Sequence, residues 1–400
     1  MEILYIGSFY PEDRFDEIWQ NSKQHYVATT VFQRALIKGW KENNYKNVTV
    51  LTFPMIGSFP RRYNKLYFKR SSLFSINKES VCEGFLNLPV IKHIDIFFKT
   101  KRYISKWVKK NKDHKKVIII NSMALNIMKA VIDIKNKYPD VKVCLSILDL
   151  PEFSNSKSSN YKTKIINFSV KKSFDLLKYI DSYILISSAI YDKINIKDKP
   201  WMLLEGIYLP SDRDSIHQIP SDKVIILYTG SLHLKYGIED LLLAFDKINN
   251  KNYELRICGD GDGKTLINEY IAHNNRIKFL GMLKHTEVLE LQKNATLLVN
   301  PRRASEEYTK YSFPSKTIEY MASGTPVIMH KLKGIPPEYY EHLIFTESSS
   351  IDDLYKTMIA WGEKPKDDLE NLGLKAKKFI LDNKTAFKQS QRVMEFLSLY

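Results

Sequence analysis

Strand-like and helix-like patterns alternate along most of the chain, and this alternation restricts the fold more than any other feature. Short apolar runs at 2–7, 48–53, 117–121, 142–148 and 182–187 read as strands, with helical periodicity over 124–137 and 165–179 between them. The pattern restarts after 223, with strands at 224–229, 253–258, 276–280, 295–299 and 326–329. Helices at 238–249, 264–273, 286–293 and 315–323 fall between these. Such alternation predicts an α/β fold of parallel sheets layered between helices. The stretch 199–223, "KPWMLLEGIYLPSDRDSIHQIPSDK", is rich in Pro, Asp and Ser, has no steady period, and reads as an interdomain connection. Two domains are expected, 1–200 and 201–384, each large enough to bury its own core. Residues 385–400 read as an amphipathic helix that could cross back to the first domain, with Phe387, Val393, Phe396 and Leu397 as its buried face.

Hydrophobic residues at 44% and charged residues at 26% exclude a disordered chain. The longest apolar runs, "VIII" at 117–120 and "YILI" at 183–186, are far too short to span a bilayer. "MEILYIGSFYP" lacks the features of a signal peptide and reads as a first strand. Cys82, Cys144 and Cys258 are widely spaced and suit buried thiols in a reducing cytosol; no metal-ligand spacing occurs. The net charge of +16 is uneven. Residues 1–200 hold 35 Lys+Arg against 18 Asp+Glu, whereas 201–400 hold 26 against 27. An anionic partner is therefore expected for the first half only. Charge alone would also suit a nucleic-acid binder, but no such motif is present, and no nucleic-acid partner is expected.

Three stretches of the second half could hold an anionic ligand. In "ILYTGSLHLKYGIEDLLLAF" (226–245), Gly230 permits a tight turn and Lys235 supplies a nearby cation. "ICGDGDG" (257–263) joins a strand to a helix, but it is neither a dinucleotide fingerprint nor an EF-hand loop. In "YSFPSKTIEYMASGTPVI" (311–328), Phe313-Pro314 forces an extended approach and Ser315 is placed to cap a helix. The first-turn amides, with Ser315, Lys316 and Thr317 beside them, suit a diphosphate. Glu319, one turn later, could accept hydrogen bonds from a ribose diol. Arg302, Arg303 and Lys310 lie on the loop before this stretch. Taken singly, each stretch reads first as an ordinary βα loop, a backbone turn or a solvated helix end.

The order of 230–237, 259–261, "RIKFLGML" (276–283), "LLVNPR" (297–302) and 311–328 resembles glycosyltransferase family 4. The resemblance is strong over 224–330 and looser before it, through "DLPEF" (149–153) and "LEGIYLP" (204–210). The last motif resembles a subgroup associated with bacterial surface polysaccharide assembly. The resemblance implies a GT-B fold, two Rossmann-like parallel-sheet domains facing a central cleft, and transfer of a hexosyl group from a nucleotide sugar with retention of configuration. The donor expected is UDP-linked, and no further cofactor is expected. By the same resemblance Glu319 would bind the ribose, and Ser315, Lys316 and Thr317 would lie at the diphosphate. Gly281 and Met282 would lie by the base, with Gly230 and Lys235 beneath the phosphates. Three positions depart from the family. Tyr311 stands where a sugar-contacting glutamate is common, Ser231 where an arginine is, and Tyr236 where a lysine is.

In the first half, Asp149 follows a strand where many family members keep an active-site histidine. It could hold a sugar hydroxyl or assist proton removal, or simply cap the turn. Gly7 would let a ligand approach the backbone. His25 lies in a polar stretch where an acceptor-facing loop is expected. The candidate catalytic set is Asp149, Lys235 and Lys316, with Arg302 among the donor-binding residues. The basic and aromatic stretches 59–70 and 97–116 would meet an anionic membrane surface, with Tyr103, Ile104, Trp107 and Val108 as apolar anchors. The partners expected are thus a nucleotide-sugar donor, a lipid-linked glycan acceptor and the inner face of a plasma membrane, reached from the cytoplasm. A nucleotide-sugar epimerase or hydrolase of the same architecture is the alternative.

Overall fold

The computed structural model describes residues 1–73, 76–154, 161–196, 198–210 and 222–399. It divides into two compact units: Met1–Ile207 with Ala386–Tyr400, and Tyr208–Thr385. Residues 211–221 of the expected connection lie outside the described residues.

The first unit opens with β1 (Glu2–Gly7), α1 (Phe15–Asn21), α2 (Val27–Glu42) and β2 (Val48–Thr52). Four short strands follow: β3 (Tyr67–Phe68), β4 (Ser71–Ser72), β5 (Val81–Cys82) and β6 (Phe85–Leu86). Next come α3 (Ile91–Lys110), β7 (Lys116–Ile120), α4 (Leu125–Lys137), β8 (Val141–Ile147), α5 (Pro151–Ser154) and α6 (Tyr161–Asp175). β9 (Ser182–Leu185), α7 (Ala189–Ile194) and β10 (Trp201–Leu203) complete the run. One sheet has the order β10-β9-β8-β7-β1-β2-β5-β4, parallel except for the β4–β5 edge pair. Its central strands are continuous apolar runs because both faces are covered: every residue of β7 is buried. β3 and β6 form a separate antiparallel ribbon.

Trp201–Leu203 lies in the expected connection, yet pairs as a strand of this sheet. α3 also differs from expectation. Ile104, Trp107 and Val108 are buried, on the side of α3 that packs on α4, so they are core residues rather than membrane anchors. Lys116 is buried too, its ammonium donating to the carbonyls of Asn111, Lys112 and His114.

The second unit runs β11 (Val224–Ser231), α8 (Ile238–Asp246), β12 (Tyr253–Asp260), α9 (Lys264–His273), β13 (Ile277–Phe279) and α10 (His285–Lys293). It continues β14 (Leu297–Asn300), α11 (Lys316–Ser323), β15 (Val327–Met329), β16 (Ile344–Phe345), α12 (Ile351–Gly362) and α13 (Lys366–Asn383). All pairs are parallel in the order β13-β12-β11-β14-β15-β16. Counted within the unit this is the doubly wound order 3-2-1-4-5-6, whose switch point lies between β11 and β14.

The closing helix α14 (Ala386–Ser398) belongs to the first unit and packs on α2. Asn43 Nδ2 donates to Phe387 O and to Ser390 Oγ, both at 2.9 Å. Gly39 makes the close approach possible, since a Cβ there would stand 2.0 Å from Ala386 O. Val393 and Leu397 are buried as expected, but Phe387 is 40% exposed. Gln389 takes part in the buried face instead, donating to Gly206 O at 2.8 Å.

Candidate functional site

The carboxyl ends of β11 and β14 frame the crevice where an open α/β sheet takes a ligand. Gly230, near the end of β11, has φ 152°, a conformation that side chains disfavour. A Cβ there would meet nothing closer than 3.5 Å, so the backbone angle, not crowding, calls for glycine. Beside it, Gly259 lets β12 close up, since a Cβ at 259 would stand 1.8 Å from Gly230 O.

Two buried side chains brace this end of β11. Tyr320 on α11 donates its hydroxyl to Thr229 O at 2.8 Å and accepts from Thr229 N at 2.7 Å. Gln292 on α10 is fully buried, and its amide nitrogen donates to Thr229 Oγ1 at 3.0 Å and to Glu319 Oε1 at 2.6 Å. Lys316 Nζ donates to the same Glu319 oxygen, also at 2.6 Å. Among the described residues Oε2 of Glu319 takes no hydrogen bond, so the carboxylate is fixed by one oxygen and presents the other. Burial pushes the Glu319 carboxyl upward, but Lys316, Gln292 and His285 outweigh it and hold the group below its ordinary range. An oriented, ionised acceptor of this kind can take hydrogen bonds from hydroxyls.

Lys316 also approaches the first turn, its Cγ lying 3.9 Å from where a Gly230 Cβ would be. Ser315 is exposed but does not cap α11: its backbone is already helical and its side chain makes no capping bond. Thr317 is fully buried, its hydroxyl accepts from Asn300 Nδ2 at 3.3 Å, and its amide is taken by Pro314 O at 2.8 Å. The expectation that its side chain faces a ligand is therefore corrected. Thr317 ties α11 to β14 from the inside.

A cationic patch lies at the other side of the β11 turn. Lys235 is exposed with its ammonium 5.1 Å from the Tyr236 ring centre, and the Arg302 guanidinium lies 4.4 Å from the same centre. Tyr236, the departure from a lysine, thus gathers two cations. Ser231 is exposed, and its carbonyl accepts from Tyr228 Oη at 2.7 Å. Arg303 is not available as Arg302 is, because its guanidinium makes a paired contact with the buried carboxylate of Asp240. On the third loop, Gly281 has φ 68° with open space around it, and its carbonyl accepts from Gly259 N at 2.9 Å. Met282 beside it is 65% exposed. Tyr311 is half-buried after the 3₁₀ turn Glu307–Lys310, with its amide donated to Tyr308 O at 3.1 Å.

The first-unit candidates lie on three different segments of the chain. Gly7 ends β1 fully buried, and the approach it allows is that of Gln33, whose Oε1 would be 2.6 Å from a Cβ. Gln33 Oε1 accepts from Ser8 N at 2.9 Å. The glycine thus admits a side chain of the protein where a ligand was expected. Asp149 is exposed in the bend between β8 and α5. His25 stacks on Trp19 with ring centres 3.7 Å apart, and burial lowers its pKa.

Gln292, Thr229 and Tyr320 were not expected as site residues. One signal for Gln292 is in the sequence: it stands four residues after the buried Val288, a polar residue on the apolar stripe of a helix.

Residues 212–379 match the family model described as glycosyl transferases group 1. No curated protein sequence matches the chain. Among solved structures, sucrose-phosphate synthase from Thermosynechococcus elongatus is similar at 16% identity and TM-score 0.64, over 100% of this chain and 99% of that one. The lipopolysaccharide outer core galactosyltransferase WaaB is similar at 15% identity and TM-score 0.65, over 99% of each chain. HepE from Anabaena, solved with UDP and glucose, is similar at 14% and TM-score 0.63 over 100% of both chains. The protein is therefore a glycosyltransferase of GT-B type, with a glycosyl transferases group 1 domain over residues 212–379.

Proposed function

We propose that the enzyme transfers a hexosyl group from a nucleotide sugar, UDP-linked, to a lipid-linked glycan, with retention of configuration, in bacterial surface polysaccharide assembly. The observation that carries this reading is Glu319, an ionised carboxylate held by Gln292 and Lys316 at the switch point of the second unit, with one oxygen presented. That oxygen suits a ribose diol. Gly230, Lys235, Arg302, Lys316 and the exposed Ser315 supply the backbone access and positive charge that a leaving diphosphate requires. Retaining transfer of this kind needs no covalent nucleophile from the protein. The enzyme's task is to hold the acceptor hydroxyl on the face of the anomeric carbon that the diphosphate leaves, and to stabilise the departing diphosphate. Asp149 would assist at the acceptor from the first unit. The basic excess of residues 1–200 supports an acceptor presented at an anionic membrane face. Two similar structures support the donor and acceptor classes: one was solved with UDP and glucose, and the other is a lipopolysaccharide galactosyltransferase.

A thermal-shift panel of UDP- and GDP-sugars, with Glu319→Ala as control, tests the donor assignment. Stabilisation by a UDP-sugar that is lost in Glu319→Ala is expected. Equal stabilisation of both proteins, or none of the wild type, would overturn it. Release of free sugar or of an epimer without any acceptor would instead support the hydrolase or epimerase reading.

A further inference from the structure

The side of α3 turned away from the core is not uniformly polar. Ile91, Ile94 and Phe98 recur at helical spacing with exposures of 45%, 51% and 62%. On the same face, Arg102, Lys106 and Lys109 continue the line toward the carboxyl end, all exposed. Just before the helix, Val90 is the centre of a γ-turn at φ 66° and ψ −56°, closed by Ile91 N donating to Pro89 O at 2.7 Å. A β-branched residue is strained there, yet its side chain is 65% exposed and packs on little.

The surroundings extend both halves of this face. Lys99 lies 5.6 Å from the ring centre of Tyr67, which brings the β3 ribbon alongside α3, and Leu66 and Tyr67 are themselves exposed. Arg70, Lys78, Lys99, Arg102, Lys106 and Lys110 line a recess of about 570 Å³ that also holds Glu79 and Glu83. Lys110 pairs with Glu79, Arg70 with Glu83 and Lys99 with Asp95. Lys78, Arg102 and Lys106 have no ion pair among the described residues.

We propose that this face of α3 docks the enzyme on an anionic phospholipid bilayer. Ile91, Ile94 and Phe98 would enter the acyl boundary, and Arg102, Lys106 and Lys109 would lie on headgroup phosphates. The complementarity of unpaired cations in line with exposed apolar side chains selects a surface that is both anionic and oily. Another soluble protein copy would have to cover the same cations with carboxylates. The inference deepens the reading of a membrane-borne acceptor and rests on it. It replaces the buried Ile104, Trp107 and Val108 with residues that solvent reaches.

Flotation of the full-length enzyme with acceptor-free phosphatidylcholine vesicles, with and without phosphatidylglycerol, tests it. Retention only by the anionic vesicles, weakening as salt rises, is expected. Phe98→Ser should lower partitioning about tenfold, and Arg102→Gln and Lys106→Gln about fivefold each. All three side chains are solvent-facing, so melting temperatures should match the wild type and confirm that the variants fold. Failure of anionic vesicles to retain the wild type, or unchanged retention of all three variants, would overturn the proposal. So would a self-associating wild type that Phe98→Ser turns monomeric without altering flotation. Nucleotide-sugar stabilisation measured on the same preparations separates the two readings. If it persists while flotation fails, the docking face falls and the transferase assignment stands.

Discussion

Gln292→Met is a sharp test of the candidate site because its structural costs nearly cancel while its functional cost does not. Methionine closely matches the shape, so no large cavity opens. The substitution removes a neutral hydrogen bond to Thr229, worth about 1 kcal/mol, and one to the Glu319 carboxylate, worth about 1.5–3 kcal/mol. It also removes Gln292 Oε1, which is buried without a partner and costs about 1–3 kcal/mol as it stands. The opposite amide orientation offers no relief, since it would aim Oε1 at the carboxylate. Net stability should therefore move by only about 1 kcal/mol, a shift in melting temperature of roughly 2–4 °C. Glu319, in contrast, loses one of its two donors and with it part of its orientation. Affinity for UDP should fall about tenfold, equivalent to about 1.4 kcal/mol. Circular-dichroism melting and titration calorimetry measure the two quantities independently. A large drop in melting temperature with unchanged UDP affinity would refute the reasoning, because it would make Gln292 a structural brace alone.

Three further outcomes are expected. Glu319 is held below its ordinary carboxyl range, so its contribution to stability is present above about pH 4.5 and lost as pH falls through the lower folded value. Lys316→Met should raise the Glu319 titration and flatten the loss of stability below about pH 4.5, read by urea unfolding across that range. Tyr320→Phe leaves the buried Thr229 amide without its acceptor and should cost about 1–3 kcal/mol, measured as a lower urea midpoint at unchanged slope. Gly39→Ala forces a methyl against the Ala386 carbonyl, and hydrogen exchange should show faster exchange over Ala386–Ser398, with the second unit unaffected.

The sheets were legible because buried parallel strands write themselves as short apolar runs, and every strand expected from 224 to 329 is present. Position along a strand was legible too, which is why Gly230 could be placed at the end of β11, whereas Glu319, on α11, was singled out by its motif. Orientation across a helix was less so. In "FFKTKRYISKWVKK" two apolar stripes share one helix: Ile104 and Trp107 turn inward and Phe98 outward, and the periodicity does not say which faces the sheet. Ser315 has the composition of a cap, but the helix geometry already includes it, a choice made by the preceding Phe313-Pro314 packing inside. Gly7 shows a different limit. A glycine reports that something comes close, and only the tertiary fold reveals that the visitor is Gln33.

The placement of α14 has a consequence for biosynthesis. The second unit is a single uninterrupted stretch, Tyr208–Thr385, whereas the first is closed by a helix translated after it. The first unit therefore begins to emerge first and is completed last. Until Ala386–Ser398 leaves the ribosome, the surface of α2 around Gly39 and Asn43 has no cover, and the second unit can fold while its elder neighbour waits. Deleting the last turns of the chain would damage the half that was synthesised first.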